Sequence, residues 1–179
     1  MIMQSNPSSN QATAAGTVGD RPERLGVERL GALASERVAI VTGAASGIGR
    51  HWAGVLAARG GFSLALADID AAGLAAAFSP GPHLRLHKLD VRSPDDWQAV
   101  VGDTLAAFGR IDYLFNIAGG GRPGFLLEQP AENVDFVVDL NLKGALYGMR
   151  LVGQVMASQR GGHVINVGSL AGLSATPGN

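Results

Sequence analysis

The sequence contains no cysteine, which excludes a disulfide framework and all thiolate chemistry. A reducing compartment fits that absence, and a cytoplasmic location is the expectation. Charge is sparse: 16% of residues are charged, the net charge is −1, and no basic block occurs. Neither nucleic acid nor a membrane surface is therefore expected as the main partner. No stretch approaches the roughly 20 consecutive apolar residues of a membrane span. The opening MIMQSNPSSNQATAAGTVGDRPERLG has no apolar run, so it does not read as a secretory signal. Asp20, Glu23 and Glu28 balance Arg21, Arg24 and Arg29 there, which disfavours a mitochondrial-type presequence. Residues 1–35 read as a disordered tail, with at most a helical turn near Leu30, or as an over-extended start. Tyrosine and lysine are also scarce, limited to Tyr113, Tyr147, Lys88 and Lys143.

Glycine is abundant, 26 of 179 residues against a usual share of about 7%. It is scattered at turns without a repeat. From residue 37 onward the chain alternates short β-branched runs with helical patterns. RVAIVTG, FSLALAD, LRLHKLDV, DYLFNIAGG and HVINVGS read as five strands. Between the first two, Ile48, Trp52, Val55 and Leu56 recur at helical spacing. IDAAGLAAAFSPG reads as a short helix broken by Pro80. In RSPDDWQAVVGDTLAAFG, Ser93 is positioned to cap, Pro94 suits the first turn, and Asp95 and Asp96 complement the dipole. Trp97, Val101, Leu105 and Phe108 form its inward stripe, and Gly109 ends it. A long helix over about 131–159 carries Val134, Val137, Val138, Leu142, Leu146, Met149, Val152 and Met156 on more than one face. Such a helix packs on the sheet and on a second subunit, so a homo-oligomer, dimer or tetramer, is expected. Strands separated by helices specify an α/β fold with a parallel sheet covered on both faces, occupying residues 36–179.

The first strand–helix junction reads Thr42-Gly43-Ala44-Ala45-Ser46-Gly47-Ile48-Gly49. A strand, a glycine-rich turn and a helix N-terminus make an anion site, because free amides and the helix dipole favour a diphosphate. Gly43 permits the sharp exit from the strand, and Gly47 and Gly49 admit close approach of the backbone to phosphate. Asp68 ends the second strand, 19 residues after Gly49, where a carboxylate accepts ribose hydroxyls. It would repel a 2′-phosphate, and Ser46 and Ile69 stand where Arg or Lys would serve such a phosphate. NAD is therefore expected over NADP. His83 and His87 straddle a strand rather than share a helix face, so no metal site is expected.

These residues resemble the short-chain dehydrogenase/reductases, through TGAASGIG (42–49), LADID (66–70), LDV (89–91), NIAG (116–119), NLKG (141–144) and INVGSLAG (165–172). Ile117 replaces the second Asn usual in NIAG. The resemblance implies a Rossmann-type doubly wound sheet with strand order 3-2-1-4-5, its last strands missing here. It implies hydride transfer between a nicotinamide cofactor and a small alcohol or carbonyl substrate. Asp90 and the Val91 amide would clamp the adenine ring. Asn116, Ala118 and Gly119 would floor the adenine ribose and brace the sheet. Asn141 would distort its helix and hold a water in a proton relay, although an Asn satisfied by neighbouring backbone is the plain alternative. Ser169 would hydrogen-bond the substrate oxygen. It is no hydrolase nucleophile, since VGSLAG lacks G-x-S-x-G, and His163 lies about 20 Å away along an extended strand.

In that family a tyrosine hydroxyl moves the proton and a lysine four residues later lowers its pKa. A phenol near pKa 10 is poorly poised at neutral pH without such a cation. Residues Ile117 and Leu151 stand four after Tyr113 and Tyr147, so no Tyr-x-x-x-Lys is present. The family spacing places the tyrosine thirteen residues after the serine, at position 182, three beyond Asn179. The chain therefore reads as the N-terminal piece of an oxidoreductase, itself inactive. A non-catalytic dinucleotide-binding module and a dimerising interaction protein stand as alternatives.

Overall fold

The computed structural model describes residues 37–174; the tail expected over residues 1–35 lies outside the described residues. Strands β1 (Arg37–Thr42), β2 (Phe62–Asp68), β3 (Leu84–Lys88), β4 (Tyr113–Asn116) and β5 (His163–Asn166) form one parallel sheet. Its order is β3-β2-β1-β4-β5, as the resemblance implied. Helices α1 (Gly47–Arg59), α2 (Ala71–Ala77), α3 (Pro94–Phe108), α4 (Ala131–Val138) and α5 (Gly144–Gln159) connect the strands.

Period-two alternation along the strands divides the core into two layers. Ala39, Val41, Leu64, Leu66 and Phe115 pack with Ala53 and Leu56 of α1 and Leu74 of α2. Ile40, Ala65, Ala67 and Leu114 point the other way, to Trp97, Val100 and Val101 of α3 and Val152 and Met156 of α5. Both faces of the inner strands are thus buried, which explains their unbroken apolar runs. Trp97 is fully buried, and its indole N–H donates to the Val91 carbonyl at 3.0 Å.

Helix α3 forms where its caps direct. The Ser93 hydroxyl accepts from the Asp96 amide, and Gly109 closes the far end in the left-handed conformation (φ 76°). Val100 and Thr104 join Trp97 and Val101 on its buried face, while Leu105 is only partly buried. Helix α1 departs from expectation. Ile48 and Val55 are exposed, while Gly49 and Ala53 join Leu56 against the sheet and Trp52 packs at its margin. The cause is close packing: a Cβ on Gly49 would lie 2.0 Å from the Gly43 carbonyl oxygen. The span expected as one helix over 131–159 is divided by a π-helical turn, Asp139–Lys143, between α4 and α5.

Small residues also seat α5. A Cβ on Gly144 would come 2.7 Å from Val91 Cγ2, and one on Gly148 2.6 Å from the Trp97 ring. Overpacking a core of this density costs about 1–3 kcal/mol. Gly148→Ala is therefore expected to lower stability by that amount in urea unfolding, despite alanine's better helix propensity. An unchanged midpoint would contradict the tight seat.

His87 on β3 is mostly buried and lies 3.8 Å from Asp103. Burial pushes its pKa below the ordinary value, outweighing the attraction of Asp103. The folded state thus binds this proton less readily than the unfolded chain. The stability contribution is whole above the ordinary histidine value of about 6.5 and is lost as pH falls through the lower folded value. His87→Gln is expected to flatten the fall in stability between about pH 7 and pH 5. Parallel pH profiles for the two proteins would contradict this.

Candidate functional site

The carboxyl ends of all five strands share one edge of the sheet, and the strand order reverses between β1 and β4. In open α/β sheets ligands bind at such a switch point. A cleft of about 510 Å³ opens there. The first turn contributes Gly43, Ser46, Gly47, Ile48 and Gly49 to its wall. Asp68 and Ile69 come from the end of β2, Asp90 and Val91 from beyond β3, and Ala118 and Gly119 from beyond β4.

Gly43 (φ 71°) and Gly47 (φ 52°) occupy the left-handed region, which penalises a side chain. A Cβ on Gly43 would also lie 3.0 Å from the Ala118 backbone, while the space before Gly47 is open. The missing Cβ of Gly49 also accommodates the Gly43 carbonyl, a contact that the motif spacing does not reveal. Ser46 sits at the N-cap of α1 in extended backbone, yet its hydroxyl caps nothing. The first-turn amides, without a side-chain cap, present the positive end of the helix to the cleft.

Asp68 joins the two sides of this turn. Its Oδ2 accepts from the Ala45 amide at 2.9 Å and its Oδ1 from the Asp70 amide at 3.0 Å. Each carboxylate oxygen retains a further lone pair for a ligand hydroxyl. At the next strand end, the Arg92 guanidinium forks Asp90, with Nη2 2.6 Å from Oδ2 and Nε 2.9 Å from Oδ1. These hydrogen bonds hold the Asp90 carboxyl below its ordinary pKa. The α3 cap fixes the Asp90 backbone, because Asp96 Oδ2 accepts its amide at 2.9 Å.

Asn116 lies behind the cleft rather than in its wall. Its carboxamide donates to Asn166 Oδ1 at 2.8 Å, bracing β4 against β5. Asn141 occupies the π turn. Its Nδ2 donates to the Gly120 carbonyl (2.8 Å) and the Val137 carbonyl (2.9 Å), and its Oδ1 accepts from the Gly120 amide (3.0 Å). Both side-chain donors of this π-turn residue are thereby taken by backbone. Ser169 is exposed and its hydroxyl accepts from the Ala171 amide at 3.2 Å. Neither Asn141 nor Ser169 lines the cleft. Lys143 pairs with Asp139 at 2.6 Å, which raises its pKa, and Tyr147 packs against the core.

Several contributors escaped the sequence reading. Leu89, Arg92, Ile117, Phe136 and Leu140 complete the wall; Phe136 lies on α4 and Leu140 four residues on, in the π turn. Thr42 is buried, and its hydroxyl accepts from the Ile117 and Ala118 amides, both at 3.0 Å, while donating to the Phe115 carbonyl at 3.3 Å.

This combination of doubly wound sheet, glycine turn and acidic strand end defines a nucleotide-binding class of fold. Residues 37–179 match the family model described as short chain dehydrogenase, and the chain belongs to the short-chain dehydrogenase/reductase family. It is 39% identical over 140 residues to galactitol 2-dehydrogenase of Agrobacterium fabrum, covering 77% of this chain and 54% of that protein. Identity to a Synechocystis 3-oxoacyl-[acyl-carrier-protein] reductase is 35% over 147 residues, covering 79% and 59%. A short-chain dehydrogenase/reductase from Burkholderia phymatum, crystallised with NAD, superposes with a TM-score of 0.75 at 36% identity, covering 79% and 52%. The chain thus spans little more than half the length of these relatives.

Thr42→Val keeps the side-chain volume but leaves two backbone amides without their acceptor. Each such loss costs about 1–3 kcal/mol. The variant is expected to unfold at clearly lower denaturant than wild type, while Thr42→Ser stays close to it. Equal midpoints for valine and wild type would show that the hydroxyl does not hold the strand ends.

Proposed function

We propose that this chain forms the cofactor-binding part of an NAD-dependent oxidoreductase that moves hydride between nicotinamide and a secondary alcohol or carbonyl. The observation that carries the reading is the convergence on one cleft of the uncapped α1 N-terminus, the left-handed Gly43–Gly47 turn and the Asp68 carboxylate. The residues present fit a dinucleotide. Amides of Gly47, Ile48 and Gly49 would take the diphosphate, and Asp68 the adenosine ribose. Asp90 and Val91 would hold the adenine, and Ala118 and Gly119 would floor the ribose above Asn116. Once bound, the nicotinamide supplies a hydride acceptor or donor, and Ser169 would hold the substrate oxygen. Asn141 would contribute through the Gly120 loop that it pins.

NAD is preferred over NADP because Asp68 would repel a 2′-phosphate, and Ser46 and Ile69, which line the cleft, would offer it no cation. The exposed stripe Val134, Val138, Leu142 and Leu146 supports assembly with a second copy. No helix among the described residues is long and apolar enough to cross a membrane. The 179 residues hold no Tyr-x-x-x-Lys, so this polypeptide is proposed to bind cofactor without turning over alcohols. The alternative reading is a module that binds dinucleotide without chemistry. An open reading frame supplying that tyrosine and lysine distinguishes the first from the second.

Asp68→Ala loosens the glycine turn for any dinucleotide, because the Ala45 amide loses its acceptor. The ribose contribution is separated by comparing two cofactors. Fluorescence titration is expected to show a larger loss of affinity for NADH than for NADPH. Equal losses would remove the basis for choosing NAD.

A further inference from the structure

The loop joining β4 to α4 begins in the cleft wall with Ile117, Ala118 and Gly119 and ends at Pro130. Its outer part is exposed, with Phe125, Leu126 and Leu127 facing solvent. Two attachments hold the inner part to the helix. One is the Asn141 carboxamide, bonded to both backbone groups of Gly120. The other is Arg122, whose guanidinium lies 3.7 Å from the ring centroid of Phe136 on α4.

The same ring faces a second cation, with the Arg92 guanidinium 5.4 Å from its centroid. Phe136 and Arg92 both line the cleft, and Arg92 forks Asp90. A continuous chain of contacts therefore runs from the loop through Arg122, Phe136 and Arg92 to Asp90. Two guanidiniums around one aromatic ring repel each other. Asp90 and the nearby Asp139 offset the charge of Arg92, which leaves the ring's negative face available to Arg122.

We propose that Arg122 is a positioning residue for the purine end of the cleft. By stacking on Phe136 it sets the ring and, through it, the Arg92–Asp90 fork. Loop position and nucleotide affinity then form one coupled equilibrium, and the coupling is reciprocal: a bound nucleotide steadies the loop as much as the loop steadies the nucleotide. This inference rests on the reading of the cleft as a dinucleotide site and adds to it a residue outside the cleft wall.

The test uses the full 179-residue chain and ADP-ribose, followed by calorimetric titration and by hydrogen exchange of the amides in 119–130. An exposed cation–π contact corresponds to about a two- to fivefold change in affinity. Arg122→Ala and Phe136→Leu are each expected to weaken binding by that factor. The double variant should bind no more weakly than the poorer single, and Phe136→Tyr should restore wild-type affinity. ADP-ribose should slow exchange in the loop of wild type but not of Arg122→Ala. Wild-type affinity in Arg122→Ala would overturn the proposal and leave the cleft reading intact. So would additive losses in the double variant, or a loss in Arg122→Ala that Phe136→Leu does not share. Failure of the wild-type chain to bind ADP-ribose would remove the cleft reading, and this proposal with it.

Discussion

The site depends on how closely the first helix approaches the first strand. Gly49 faces the Gly43 carbonyl at a distance no side chain could occupy, so α1 starts directly above the end of β1. That position aims the first-turn amides across the switch point and brings Ala45 within reach of Asp68. One missing methyl group thus orients the helix dipole, the glycine turn and the acidic strand end together. Larger residues on the same face would lift the helix and open all three.

A second level of construction keeps the sheet edge in register. Thr42 ties β1 to the exit of β4, and Asn116 ties β4 to β5. Asn141 fastens the following loop to a π turn. Each uses a side-chain polar group to satisfy backbone or amide partners where the strand ladders stop. Unpaired buried amides there would cost more than the bonds contribute in net stability. Gly144 and Gly148 extend the scheme to the rear, seating α5 against Val91, which lines the cleft, and Trp97, which donates to the Val91 carbonyl.

Much of this was legible in the chain. The strand sequence, the α3 caps and the left-handed turn glycines follow from local backbone preferences, and every cofactor residue expected from the motifs except Asn116 lies in the cleft wall. The inward face of α1 was legible only in Trp52 and Leu56, because Ile48 and Val55 look like core until the Gly43–Gly49 approach is known. Thr42 was missed for a different reason: its three hydroxyl partners lie 73, 75 and 76 residues further along. The Arg92–Phe136–Arg122 stack likewise joins three segments with no shared periodicity. Asn141 and Ser169 bond backbone groups, the first of Val137 and Gly120 and the second of Ala171.

The amides around Gly47 and Gly49 and the Asp68 carboxylate are proposed as the two grips of a dinucleotide cleft. A crystal structure of this chain with NADH tests this most directly. Diphosphate density is expected against the α1 N-terminus, with both adenosine ribose hydroxyls at Asp68. Dinucleotide lodged elsewhere, or a cleft closed to it at saturating concentration, would contradict the account.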